Sequence, residues 1–153
     1  MGADWRPFRV WWDPTSSARD LGDFPEFVEP VVSGRAVDAL GDVLRRHGEL
    51  LELVSDDGEF FVYNVTDVID ALDEAASVGS RLAPGRFSWI YKHVFVPARV
   101  EGQELFKLPQ LRYGGVAYVT DRFCERVEAA GLRGFAPAEV WSERDGPRWY
   151  EGW

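Results

Sequence analysis

The chain has 153 residues, 46% hydrophobic and 14% aromatic, with one cysteine and a formal net charge of −9. That is enough apolar material for one folded domain and too much for an intrinsically disordered segment. Cys124 alone allows no internal disulfide, no apolar run approaches the roughly 18 residues a membrane helix needs, and the N-terminus lacks the basic and apolar regions of a secretory signal; a soluble, cytoplasmic protein is expected. The charge is uneven. Up to position 80 there are six basic and 17 acidic residues, net −11, and from 81 onward 11 basic and nine acidic, net +2. Phosphates need basic partners, so direct nucleic-acid binding is disfavoured; the acidic surface favours a basic protein partner or serves solubility alone.

Residues 5–12 include Phe8, Val10 and Trp12 at strand spacing, with Arg9 and Trp11 on the opposite side. Asp13 to Ser33, broken by Pro25 and Pro30, reads as a surface connection with one short strand at Phe27–Val28. Ser33 then opens a helix over about 34–47, buried through Val37, Leu40 and Leu44 and closed by Arg45, Arg46 and His47 before Gly48. Two strand-like runs, Glu49–Val54 and Glu59–Asn64, flank Ser55-Asp-Asp-Gly58, a hairpin signal. Next, Val65, Val68, Ile69 and Leu72 suit a short helix or run of turns near 66–74, with Asp67, Asp70 and Asp73 on another side.

Ser77 to Arg81 reads as a loop, Pro84-Gly85 as a turn, and Phe87 to Val96 as a strand with Phe87, Trp89 and Tyr91 opposite Ile90. After Glu101-Gly102 comes the best-specified stretch. Leu105, then Val116 and Tyr118, alternate as in strands, and Phe123, Val127 and Ala130 recur at helical spacing over about 121–130. Thr120 or Asp121 can cap that helix, Gly131 is placed for a left-handed terminus, and 135–141 reads as a further strand. The tail, 142–153, is polar and then aromatic. The sum is an α+β single domain, mainly antiparallel sheet, with two clear helices.

No nucleophile elbow, phosphate loop, dinucleotide fingerprint or zinc-ligand spacing occurs, so no catalytic residue, cofactor or metal is assigned. Carboxylates at Asp67, Asp70 and Asp73 suit hard cations, but their spacing is not that of a calcium loop, and aspartates also make local backbone bonds in turns. Cys124 lies beside an apolar helix stripe, where small cysteines are inert. His47 reads as a helix-end residue and His93 as a packed or surface polar residue of a strand.

Two blocks carry a resemblance. The first is Tyr63-Asn-Val-Thr-Asp-Val-Ile-Asp-Ala-Leu-Asp73; the second joins Glu104-Leu-Phe-Lys-Leu-Pro109 to Tyr118-Val-Thr-Asp-Arg-Phe123 and Glu128-Ala-Ala-Gly-Leu-Arg-Gly-Phe135. In this order they resemble immunity-protein family eleven of bacterial polymorphic toxin systems, over roughly 24–141. The resemblance implies an intracellular, non-enzymatic protein that binds and neutralises a cognate toxin. It carries over no catalytic residues; Asn64, Asp70 and Asp73 are implied to fix turns, and Phe135 to close the core. Joined to the acidic charge, it implies a basic, nuclease-like toxin whose cleft is occluded. The expected contact residues are Asp56, Asp57 and Glu59 on the hairpin, Asp67, Asp70 and Asp73 near it, and the aromatics Trp11, Trp149 and Trp153. A binding or regulatory module unrelated to toxins is the alternative reading.

Overall fold

Ser33 ends one strand and starts one helix, and the architecture grows from that junction. The computed structural model describes residues 2–11, 22–25, 30–111 and 116–150. Strand β1 (Val31–Ser33) runs into helix α1 (Gly34–His47), and the Ser33 Oγ accepts from Ala36 N at 3.1 Å, capping the first turn. Strands β2 (Gly48–Leu53) and β3 (Phe60–Val65) form the expected antiparallel hairpin. β1 adds antiparallel to the other side of β3, so β3 is central in a three-stranded sheet. Strand β1 was not expected; the connection read from the prolines hid it, and Phe27–Val28 lies outside the described residues.

Alternation along these strands sorts side chains between two faces. Val32, Phe61, Tyr63 and Val65 face α1, where Val37, Leu40, Val43 and Leu44 meet Leu105, Phe123 and Val127. Val31, Leu51, Leu53, Phe60 and Val62 face the other way and are covered by Val10 and Trp5. The N-terminal residues therefore act as a strap over the sheet, bonded as Val10 N to Val54 O at 2.9 Å and Val54 N to Phe8 O at 3.0 Å. The expected shared face fails here: Val10 is buried whereas Phe8 is 45% exposed, and among the described residues the strap meets the sheet through one backbone bridge, Arg9 to Val54, rather than as a full strand.

Residues 66–73 form no helix. They run extended, bridging Val68 to Lys107 and Leu72 to Phe95, which buries Ala71 and Leu72 and leaves Val68 56% exposed. Backbone pairing to two flanking segments has displaced the local helical pattern. Ser77–Arg81, read as a loop, lies largely in strand β4 (Val78–Ala83), paired with β5 (Arg86–Lys92) through a turn whose Gly85 has φ +71°. Register shifts along this hairpin leave Ser88 unpaired between Trp89 and Phe87. Phe87 and Ile90 are consequently both buried, against the expected opposition.

After the single-turn helix α2 (Pro97–Val100), strand β6 (Leu105–Phe106) pairs with β7 (Tyr118–Val119). Leu105 enters the cluster beneath α1, and Phe106 enters a second cluster with Ala71, Leu72, Phe87, Ile90, Phe95, Leu108 and Tyr118. Helix α3 (Asp121–Ala129) buries Phe123 and Val127 as expected, and Gly131 (φ +61°) ends it, its N–H reaching Glu128 O. Thr120 occupies the N-cap position without capping; its hydroxyl donates to Gln103 O at 2.8 Å instead. The expected strand at 135–141 reduces to β8 (Trp141–Ser142), paired with β9 (Gly146–Pro147). The chain is a mixed α+β domain of antiparallel sheets.

Candidate partner-binding face

The hairpin tip between β2 and β3 and the first turn of α1 enclose an open depression of about 340 Å³. Asp23, Asp38, Asp57 and Glu59 line it, with Arg35 as the cation. Gly34 makes this possible: its N–H donates to Glu59 O at 2.8 Å, and a Cβ there would meet the Glu59 carboxylate. That carboxylate therefore lies over the positive end of α1. Asp23 is already satisfied, accepting from Ser33 Oγ, Arg35 and Arg133 N at 2.8–2.9 Å, and so staples β1, α1 and the segment after α3. Asp38, Asp57 and Glu59 are exposed.

Beside the tip, Arg9 Nη1 reaches both oxygens of Asp56 at 2.8 and 2.9 Å, an exposed pair of small energetic weight. Because the strap runs parallel to β2 at Arg9 and Val54, Trp11 projects on the same end of the sheet; it is 76% exposed, with Phe8 nearby in sequence. Of the expected contact residues, Asp56, Asp57, Glu59 and Trp11 are thus brought together at one end.

The remaining acidic residues lie elsewhere. Asp67 follows the opposite end of the hairpin, about 17 Å from the tip along a six-residue strand. Its Oδ2 meets His47 Nδ1 at 2.7 Å. Asp70 accepts from Gln110 Nε2 at 2.6 Å, and Asp73 caps a turn through Ala75 N and Ala76 N, both at 3.1 Å. The implied turn-fixing role holds for Asp73, while Asn64 bonds across the hairpin to Glu49. That bond heads the causes lowering the Glu49 pKa. Trp149 is exposed on the tail, which bridges Lys92 at the margin of β5. Trp153 lies outside the described residues.

Glu104 and His93 are buried polar groups away from this face. Glu104 is 1% exposed; Arg126 Nε lies 2.7 Å from its Oε2 as an ion pair, off the line of an aligned hydrogen bond, and Arg126 also donates to Oε1 at 3.3 Å. His93 is 3% exposed, with Nε2 at 2.9 Å from the Tyr118 hydroxyl and its ring stacked on Phe95. Burial pushes the His93 pKa down to about 4 and pushes the Tyr118 hydroxyl up. The unfolded chain takes up this proton near pH 6.5, and the folded chain only near pH 4. Stability therefore falls as pH drops through that window, by about 3 kcal/mol in all. Urea midpoints across the window should drop more steeply for the wild type than for His93→Phe. Equal slopes would assign the acid sensitivity to other groups.

Burial raises the Cys124 thiol pKa, which opposes thiolate chemistry. Among the described residues no group of three His, Cys, Asp or Glu side chains is placed to hold a metal ion, and no helix is long and apolar enough to cross a membrane.

A family model described as the Imm11 immunity protein family matches residues 52–142, more than half of the chain. The chain belongs to this family. The Imm11 match starts within β2 and ends in β8, a narrower span than the 24–141 resemblance, and it takes in the hairpin tip but neither Trp11 nor Trp149. No curated protein matches the chain.

Proposed function

We propose that this Imm11 protein acts inside the producing cell by binding and neutralising a cognate basic toxin, whose positive cleft it occludes with the acidic end of the β2–β3 hairpin. The single observation that carries the reading is the clustering of the exposed carboxylates Asp38, Asp57 and Glu59 around one open depression, with Asp56 beside it on the hairpin tip and Trp11 exposed at the same end. A nuclease-like toxin, whose cleft must attract phosphate, has the complementary charge. Trp11 supplies the aromatic anchor such faces use. Asp67, Asp70 and Asp73 serve as a second, peripheral rim whose field adds to the attraction. The protein acts by occupancy and needs no turnover.

Co-expression with the toxin gene beside its own should rescue growth and yield a stable complex; failure of both removes the assignment for that pair. Reversing Asp56 and Asp57 to lysine should slow association about tenfold or more at low salt and flatten its salt dependence. Unchanged kinetics would take the hairpin tip out of the interface. The fold should tolerate the change, since the Arg9–Asp56 pair is exposed on both sides.

A further inference from the structure

Of the exposed carboxylates gathered at the acidic end, Asp56 alone is paired. Asp38, Asp57 and Glu59 meet no cation among the described residues, whereas Arg9 Nη1 touches both oxygens of Asp56 at 2.8 and 2.9 Å. The pair is wet on both sides, 45% and 80% exposed, so it does little for the fold. It is nevertheless a placed contact. Val54 N donates to Phe8 O and Val10 N donates to Val54 O, so main-chain bonds on either side of Arg9 hold it against the sheet. Asp56 follows two residues after Val54. A guanidinium tethered in this way gives up less freedom to reach its carboxylate than one carried on a mobile loop. Asp56 belongs to the stretch that the Imm11 family matches, and Arg9 lies outside it.

We propose that Arg9 is a built-in competitor at the partner-binding face: it holds Asp56 in the free protein and yields that carboxylate to a cation of the toxin on docking. The proposal rests on the toxin reading above and concerns how that same face is regulated. Arg9 stands two residues from Trp11, which is 76% exposed, so a partner that engages both Trp11 and Asp56 meets Arg9 on the way. A cation that takes Asp57 or Glu59 separates nothing, but one that takes Asp56 must first part the existing pair. Casual cations are thereby turned away from Asp56, and only a partner with a cation set to replace Arg9 gains the contact. A guanidinium fits best. It exchanges like for like, whereas an ammonium must shed a tighter water shell.

Arg9→Gln removes the competitor and keeps most of its stem. Titrated at physiological salt against the toxin encoded beside its own gene, this variant of the full chain should bind about two- to fivefold more tightly than the wild type, the range an exposed pair is worth. The gain should vanish in an Asp56→Asn background, where there is no pair to part. Arg6→Gln makes the same change in net charge from an exposed position on the same strap and should leave the affinity unchanged. Hydrogen exchange at the Val10 and Val54 amides should be as slow in Arg9→Gln as in the wild type. Faster exchange would assign the gain to a loosened strap and overturn the proposal. A gain that persists with Asp56→Asn, or that Arg6→Gln reproduces, overturns it in favour of net charge alone. Affinity unchanged or weakened by Arg9→Gln also overturns it, and leaves the toxin reading standing. No complex at all removes both.

Discussion

Arg126→Ala should destabilise the protein by about 3–5 kcal/mol, the cost expected when one partner of a buried ion pair is removed. Glu104 is the reason: its carboxylate is 1% exposed, Arg126 lies within 2.7 Å of it, and Arg122 approaches at 3.5 Å from a much wetter position. Arg126 also reaches Asp42 of α1 at 3.5 Å, so one guanidinium holds β6, α3 and α1 in register. Arg122→Ala should cost less than about 1 kcal/mol, since that side chain is 60% exposed and its loss leaves Arg126 in place. The comparison is read from urea midpoints. The double change Glu104→Leu with Arg126→Ala should recover part of the loss, because no buried charge is then stranded. An Arg126→Ala protein as stable as the wild type would mean that water already reaches the carboxylate.

Phe123→Ala should cost about 3–5 kcal/mol, a large share of the roughly 5–15 kcal/mol that holds a domain of this kind together. Phe123 is 2% exposed and packs edge-on to Phe135 at 5.6 Å between ring centroids, inside the cluster that joins α1, β3, β6 and α3. Phe135, which the sequence placed in the same class, is only half-buried and shares its other side with Phe24 at 5.0 Å. Its truncation should cost roughly 1–2 kcal/mol. Denaturant unfolding of the two variants separates them; equal losses would show that the Phe24 contact shields Phe135 as fully as the helix shields Phe123.

The elements that could be read from sequence are those whose signals are local. Ser33 caps α1, Asp-Gly turns the β2–β3 hairpin, and Gly131 ends α3; each depends on residues within a few positions of itself. What could not be read depends on partners far along the chain. Residues 66–73 carry a helical spacing of apolar side chains, yet Lys107 and Phe95 supply bridges that hold them extended. β4 is poor in strand-forming residues and exists because β5 pairs with it. Ser88 steps out of that pairing, so Phe87 and Ile90 end on the same side of the account, both buried. Glu104 gives no hint of burial in its own neighbourhood, since the cation that permits it is 22 residues away.

The candidate face divides along the same line. Asp56, Asp57 and Glu59 were found through the hairpin signal that presents them, whereas Asp38, from the helix, joins them only in three dimensions. Asp67 and Asp73 were grouped with them by spacing. The fold separates these two, spending one on His47 and the other on a turn.

Leu105 and Phe106 are neighbours in sequence, yet each feeds a different apolar cluster. A two-residue strand is therefore a party wall between two rooms, and a change of volume in one is felt in the other. Such a layout leaves little freedom for drift inside the body of the molecule. The hairpin tip and the exposed residues of β4 lie outside that wall, where side chains can be exchanged without repacking either room. A scaffold of this kind can acquire a new partner by rewriting its rim alone.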